Sequence, residues 1–182
     1  MKNSQNQKNL IKNKKNNIIM KKLTTPICDN EIANLKVGEQ ITISGTIYTS
    51  RDAALPQLVD LIKEDKVPFD LKGSVVMHTA FSDAGIAPTT SSKVEIESSI
   101  EPLSEAGVKI HIGKGMLSEE TAEALAQNNS IFVITPPVAA LLTSKVGEKK
   151  CVLFENEGME AMFELKVNDI PGIVAIHNGK KI

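Results

Sequence analysis

The chain has 182 residues, of which 41% are apolar and 24% charged, and its formal net charge is -1 at pH 7. This length suits one domain with its own core, and the composition is typical of an ordinary soluble protein. The near-neutral charge lacks the basic excess of nucleic-acid-binding proteins, and no apolar run approaches the roughly 18 residues of a membrane span. We therefore expect neither a nucleic acid nor a membrane as partner.

The stretch at residues 1–20 differs from the rest, because it consists mainly of Asn, Gln and Lys and contains no acidic residue. We predict that it is a disordered tail and that residues 21–182 form the domain. Its apolar pairs are too short for the h-region of a secretory signal. Translation that starts at Met20, or a basic tail that touches nucleic acid, are the alternatives for this stretch.

Cysteines and histidines give little support for a metal site on this chain. Cys28 and Cys151 are the only cysteines, too few for a disulfide framework or for an iron-sulfur or zinc site made by this chain alone, and the expected compartment is the cytoplasm. His78, His111 and His177 lie in strand-like surroundings without a helix-spaced ligand partner, so we expect no metal here. His78 remains a candidate for proton transfer.

The first half of the domain alternates strands and helices. Isoleucines at even spacing in residues 40–49 (QITISGTIYT) predict a half-buried strand. Thr49 or Ser50 is then expected to cap a helix whose core face is formed by Leu58, Leu61 and Ile62. The strand at residues 74–77 leads into GIAPTTSSK, residues 85–93, a hydroxyl-rich loop that is expected to join it to a helix over residues 93–106.

The second half continues the alternation. We expect a strand at residues 108–112, a Gly-Lys-Gly turn at 113–115, a helix from 118 onward, a strand at 131–135 and a short helix from 136 onward. Two more strands are expected between Met162 and His177, before a turn at Asn178 and Gly179. This order of elements predicts an α/β or α+β fold with a mixed sheet.

Three predicted strand-to-helix junctions carry side chains suited to anion binding, in TSRD, PTTSSK and GKG. Such junctions collect at one edge of a sheet, helix N-termini favour anions, and each junction adds a cation, namely Arg51, Lys93 or Lys114. Together with the threonine hydroxyls they suit a small dicarboxylate. The alternative for each junction taken singly is a helix cap or a solvated ion pair. GKG lacks the P-loop pattern, so nucleotide binding is not expected.

Read in order, SGTIYTSRDAA, DLKGSVV, APTTS, HIGKG, PPVAALL and GMEA resemble the β subunit of class I iron-sulfur hydro-lyases, which comprise two-subunit fumarate hydratases and L-tartrate dehydratases. The resemblance spans residues 21–182 and implies a swivelling β/β/α domain that packs on a separate α subunit. In this family three cysteines of the α subunit bind a [4Fe-4S] cluster, whose open iron acts as a Lewis acid. The resemblance implies that the chain is active only with that α subunit, on fumarate and malate or on L-tartrate.

The resemblance also implies roles for individual residues. Arg51 of RDAA would bind a substrate carboxylate, and Lys114 of GKG, with Lys93, would complete the anion site. Thr89 and Thr90 of PTTS would lie at the substrate, one of them as the proton acceptor. A neutral threonine needs a nearby cation or a proton relay for that role.

Three departures from the family pattern bear on activity. Leu55 stands where the family commonly has His after RDAA, Lys93 stands where it commonly has Arg, and the loop before PTTS is short. Lysine keeps the charge but loses the planar fork that grips a carboxylate. These departures leave open a non-catalytic binding or assembly subunit that retains the fold. A free-standing anion-binding protein is a third hypothesis.

Overall fold

The structure, a computed structural model, describes residues 20–87 and 93–182. The predicted tail, apart from Met20, lies outside the described residues, and so do Thr89 and Thr90. The strands are β1 Lys21–Thr24, β2 Gln40–Ser50, β3 Val75–His78, β4 Ala80–Ser82, β5 Gly85–Ala87, β6 Ile110–Gly113, β7 Ile131–Ile134, β8 Val146–Leu153, β9 Met162–His177 and β10 Lys180–Lys181. The helices are α1 Asp29–Ala33, α2 Leu55–Lys63, α3 Lys93–Glu105, α4 Glu119–Gln127, α5 Ala139–Thr143 and a 3-10 helix at Glu155–Glu160. None of these helices combines the length and apolarity needed to cross a bilayer.

Five strands close into a mixed β-barrel in the order β2, β3, β6, β7 and β9. The first four run parallel to one another, and β9 is antiparallel to both β7 and β2, which joins the two ends of the row. The predicted mixed α/β class is confirmed. The closure was not predicted, because strand order does not show in the sequence.

Alternate residues of the barrel strands face opposite sides, as the pleat of a strand requires. Val75 and Met77 of β3 pack in the interior cluster, whereas Val76 between them packs outside, against α2 and α3. In β7, Phe132 likewise points outward, to a third cluster that includes residues of α3 and α4. The barrel is therefore apolar on both faces wherever helices cover it.

The long strand β2 changes partner at a glycine. Its first half pairs with β1 up to Ser44, its second half pairs with β3 from Tyr48, and the register with β9 shifts between Ile43 and Gly45. Gly45 has a φ of +100°, and its backbone passes close to Thr25, whose Oγ1 accepts a hydrogen bond of 2.6 Å from the Thr46 amide. The bulge lets one strand serve two neighbours.

Two predictions about local structure were wrong. Thr49 and Ser50 do not cap a helix, because they are buried in β2, and the N-cap of α2 is Ala54. Residues 162–177 form one strand and not two, because Asp169, with a φ of +54°, makes a bulge whose amide donates to Ser44 Oγ at 2.9 Å. Asp169, a residue type that is common in turns, thus bends a continuous strand here.

The hydroxyl-rich loop also differs from the prediction at its start. Gly85–Ala87 forms β5, which pairs antiparallel with β4, so a short hairpin stands between β3 and the segment that reaches α3. Thr79 Oγ1 donates to the carbonyl of Ala87 at 2.7 Å and ties the base of this hairpin. The hairpin therefore projects from the carboxyl end of β3.

A chain of buried polar side chains runs between the barrel and α3. His78 Nε2 lies 3.1 Å from His111 Nδ1, and His111 Nε2 lies 2.9 Å from Ser104 Oγ. Burial lowers the pKa of His78 to about 4, and burial together with the neighbouring His78 lowers the pKa of His111 well below its ordinary value. Both rings are therefore neutral at pH 7.

We predict that Gly45→Ala lowers the free energy of unfolding by about 2–4 kcal/mol, because a Cβ at this positive φ is strained and would overlap Thr25 Oγ1. Gly147→Ala is the matched control. Its φ is not positive and the nearest atom, Lys166 O, would lie at 3.5 Å, so we expect a change within about 0.5 kcal/mol. Urea denaturation of the two variants measures the difference, and equal midpoints would contradict the account of the bulge.

The buried histidines predict a pH dependence of stability. Between the ordinary histidine value of 6.5 and the folded pKa of about 4 for His78, the unfolded chain binds more protons than the folded one. The contribution of His78 is therefore complete above pH 6.5 and is lost as the pH falls towards 4, by about 3 kcal/mol. Urea denaturation across this range should give a shallower pH slope for His78→Gln than for the unchanged chain. Identical slopes would show that His78 does not titrate differently on unfolding.

Candidate functional site

Four parallel strands end together at one end of the barrel, which we call the carboxyl end. The residues that follow β2, β3, β6 and β7 there are Arg51, Thr79, Lys114 and Thr135. Ser50 is the register partner of His78, and Gly113 is the partner of Ile134, so the four strand ends are neighbours across the sheet. Ligands of parallel sheets usually bind at this end.

Two adjoining cavities lie at the carboxyl end, and together we call them the end hollow. One is lined by Met77, His78, Thr79, Ile112, Gly113, Lys114, Thr135 and Pro137, and the other by His78, Lys93, Ile96, Lys114, Gly115, Met116 and Leu117. His78 and Lys114 line both, so the two cavities adjoin at these residues. The described lining residues include two lysines and no carboxylate, so the hollow favours an anion.

The two lysines of the end hollow have different surroundings. Lys93 begins α3, its side chain is 61% exposed, and its Nζ lies 3.5 Å from the Glu97 carboxylate one helical turn away. The same carboxylate accepts a hydrogen bond of 2.9 Å from the Ser118 amide. Lys114 is exposed at the end of β6 and lines both parts of the hollow. Lys114 is therefore the more central of the two cations.

Arg51 lies at the neighbouring strand end but is not among the residues that line the hollow. Its side chain is only 17% exposed, with Nη1 3.6 Å from Glu160 and Nε 3.9 Å from Asp52. Glu160 also accepts a hydrogen bond of 2.9 Å from the Ala53 amide, which ties the turn after β2 to the 3-10 helix. The arginine is thus held by acidic neighbours beside the hollow.

The structure brings some of the predicted site residues together and leaves others outside its description. Lys93, Lys114 and His78 share the end hollow, and Arg51 lies at the next strand end. Thr89 and Thr90 fall outside the described residues. Leu55, which stands at the position of the common histidine, is fully buried in the cluster between the barrel and α2, so its role is packing.

Sequence reasoning missed three features of the site. Thr135 follows β7 and lines the hollow, with its hydroxyl donated to the Pro171 carbonyl at 2.7 Å, and Thr79 has the corresponding position after β3. The contact between His78 and His111 was also missed. A polar residue directly after a buried strand is a usable signal, but the contact of two histidines depends on the register of β3 and β6, which the sequence does not show.

The described residues do not form a ligand set for an iron-sulfur cluster. No group of three His, Cys, Asp or Glu side chains within residues 20–87 and 93–182 is arranged to hold a metal ion. Cys28 is exposed and lines one cleft, whereas Cys151 is half-buried and lines another. Two cysteines in separate clefts do not make the thiolate set that such a cluster needs.

Comparisons with known proteins show which family the chain resembles. The family described as Fumarase C-terminus matches residues 1–182. The L(+)-tartrate dehydratase subunit beta of Escherichia coli strain K12 is 31% identical over 170 residues, which cover 86% of this chain and 83% of that protein. A protein of Methanocaldococcus jannaschii that is provisionally named as the same subunit is 32% identical over 161 residues, 80% of this chain and 82% of that protein.

A longer relative comes from Geobacillus stearothermophilus and is provisionally named class I fumarate hydratase. It is 28% identical over 166 residues, which cover 85% of this chain but only 31% of that protein. The same domain thus occurs as a separate subunit and as part of a longer chain. With a family match over the whole length and 31% identity to the Escherichia coli subunit over most of it, this chain belongs to the Fumarase C-terminus family of hydro-lyases.

Proposed function

We propose that the chain is the β subunit of an iron-sulfur hydro-lyase that reversibly adds water to, or removes it from, a small dicarboxylate. The substrate is fumarate or malate, or L-tartrate, which gives oxaloacetate. The observation that carries this proposal is that Lys93 and Lys114 line the same cavity, whose described lining residues include no carboxylate. The names of the relatives supply the reaction class.

The proposal gives each cation a role in holding the diacid. Lys114 attracts one carboxylate into the hollow as a compact charge, and Lys93 adds a second charge at its rim. Arg51 grips a carboxylate through two parallel hydrogen bonds, for which its side chain turns from Glu160 towards the hollow. Thr89 and Thr90, which precede α3 in the sequence, are assigned to the substrate, and one of them accepts the proton that the substrate carbon loses when water is removed.

The proposal requires an α subunit that carries the [4Fe-4S] cluster, since the described part of this chain offers no ligand set for it. Two features of the surface support docking at the end hollow. Met116, which lines the hollow, and Val94, at the start of α3, are both 77% exposed. Large apolar side chains left in solvent beside a site mark a surface for a partner. The barrel is then the swivelling β/β/α domain, residues 21–182, of a cytoplasmic two-subunit enzyme.

Arg51→Ala is predicted to lower kcat/KM of the reconstituted two-subunit enzyme by about 30-fold or more, the equivalent of roughly 2 kcal/mol, because a charged bidentate contact with the substrate is lost. Loss of fumarate absorbance and formation of oxaloacetate from L-tartrate are the two assays. Lys63→Ala is the control, since this exposed lysine on α2 pairs only with Asp60 in the described contacts, at 3.5 Å. If Arg51→Ala turns over substrate like Lys63→Ala while the complex stays assembled, the role of Arg51 is wrong.

We predict that the two lysines of the hollow contribute unequally to substrate binding. Lys114→Ala should raise KM by about tenfold or more, whereas Lys93→Ala should raise it by only about threefold, because Lys114 lines both cavities of the hollow and Lys93 lines only one. Steady-state kinetics of the two variants with fumarate and with L-tartrate measure the difference. A larger effect of Lys93→Ala would place the substrate carboxylate at the rim of the hollow and contradict this ranking. A complex that assembles but is inert with each dicarboxylate would favour the non-catalytic subunit instead.

A further inference from the structure

We propose that Ser104, His111 and His78 form a proton relay, which runs between the barrel and α3 from a cleft at the amino ends of the strands to the end hollow. The use of this relay in catalysis rests on the proposed hydro-lyase function. The arrangement of its protons rests only on the contacts within this chain.

The geometry of the relay follows from the register of two parallel strands. His111 of β6 is the register partner of Val76 in β3, and His78 lies two residues further along β3, so both rings point to the outer face of the barrel. Their planes differ by only 9°, which suits a hydrogen bond in the plane of the rings between His78 Nε2 and His111 Nδ1, 3.1 Å apart. Ser104, in the last turn of α3, continues the line at 2.9 Å from His111 Nε2.

The relay connects two openings at opposite ends of the barrel. Its inner end is His78, which is 5% exposed and lines both cavities of the end hollow, and whose Nδ1 is buried and has no hydrogen-bond partner among the described residues. Its outer end is Ser104, which lines a cleft together with Gly73, Lys109 and Asn129. These three residues precede β3, β6 and β7, so the cleft lies at the amino ends of the strands. The middle member, His111, is fully buried.

Only two proton arrangements satisfy both hydrogen bonds of the relay when both rings are neutral, because each hydrogen bond holds one proton. In the first, both rings carry the proton on Nε2, and His78 Nδ1 is a bare acceptor. In the second, both rings carry it on Nδ1, Ser104 donates to His111, and His78 Nδ1 is a donor. Burial, which lowers the pKa of both rings, disfavours any imidazolium between these two arrangements.

Conversion of the first arrangement into the second moves one proton out of the hollow. In one concerted movement that forms no imidazolium, His78 Nδ1 takes up a proton while His78 Nε2 passes its proton to His111 Nδ1 and His111 Nε2 passes its proton to Ser104 Oγ. Ser104 then gives its own hydroxyl proton to water in the cleft. Each ring and the hydroxyl gain one proton and lose one, so the net change is one proton transferred from the hollow to solvent, and the reverse sequence delivers one. Addition of water to a diacid needs one direction of proton transfer, and removal of water needs the other.

If the triad were purely structural, substitutions in it would leave the rate of the proton-transfer step unchanged. Kinetic measurements therefore distinguish a structural triad from a relay. In the reconstituted two-subunit enzyme, Ser104→Ala and His111→Gln should lower kcat by at least about tenfold and leave KM within about twofold. Ser104→Thr, which keeps the hydroxyl, should recover most of kcat. Ser99→Ala is the matched control, because Ser99 is a buried hydroxyl on the same helix that donates only to the Ile96 carbonyl, at 2.8 Å.

A second measurement tests the relay on the full chain without any assay of turnover. Nitrogen-15 NMR of labelled histidine reports the tautomer of each ring, and we expect His78 and His111 to be neutral at pH 7 and to share one tautomer. Opposite tautomers, an imidazolium in the pair, or a kcat of Ser104→Ala and His111→Gln equal to that of Ser99→Ala would overturn the relay. An inactive unchanged complex would overturn the proposed function and the catalytic use of the relay, whereas the NMR result would still decide how its protons are arranged.

Discussion

Antiparallel pairing of β9 with both β2 and β7 closes the barrel. Four parallel strands alone would form an open row with two exposed edges, and β9, 16 residues long, joins those edges into a barrel. Closure fills the interior with isoleucine, valine and leucine and brings the carboxyl ends of β2, β3, β6 and β7 onto one ring. Arg51 and Lys114, 63 positions apart in the chain, belong to that ring because of this closure.

Closure also explains why polar groups are buried on the outer face of the barrel. Helices cover that face, so a histidine that points outward from β3 or β6 meets α3 and not solvent. A buried imidazole stays neutral and takes its hydrogen bonds from the nearest polar atoms, here a second imidazole and a serine hydroxyl. The same geometry that buries these rings places one of them, His78, in the lining of the hollow together with Lys114 and Thr79.

The sequence predicts the parts of this molecule that depend on local pattern. The strand of evenly spaced isoleucines, the helix that follows residue 118 and the turn at Asn178 and Gly179 all agree with the structure. It fails where partners distant in the chain decide the outcome. Two strands were expected between Met162 and His177, but pairing with β2 and β7 keeps the chain extended through a bulge. The sequence placed Lys93 and Lys114 at one edge of a sheet, which agrees with their position in the end hollow. The roles of Thr135 and of the histidine pair could not be predicted, because they depend on the register of neighbouring strands.

In the proposed enzyme, this barrel supplies one half of a dicarboxylate site and a cluster-bearing α subunit supplies the other. The most direct measurement is turnover of fumarate, malate and L-tartrate by this chain alone, by the α subunit alone and by the two together, each under anaerobic conditions. The account predicts turnover of at least one of these diacids by the pair and none by either chain alone. A stable pair that leaves all three unchanged, or turnover by the α subunit without this chain, would contradict it.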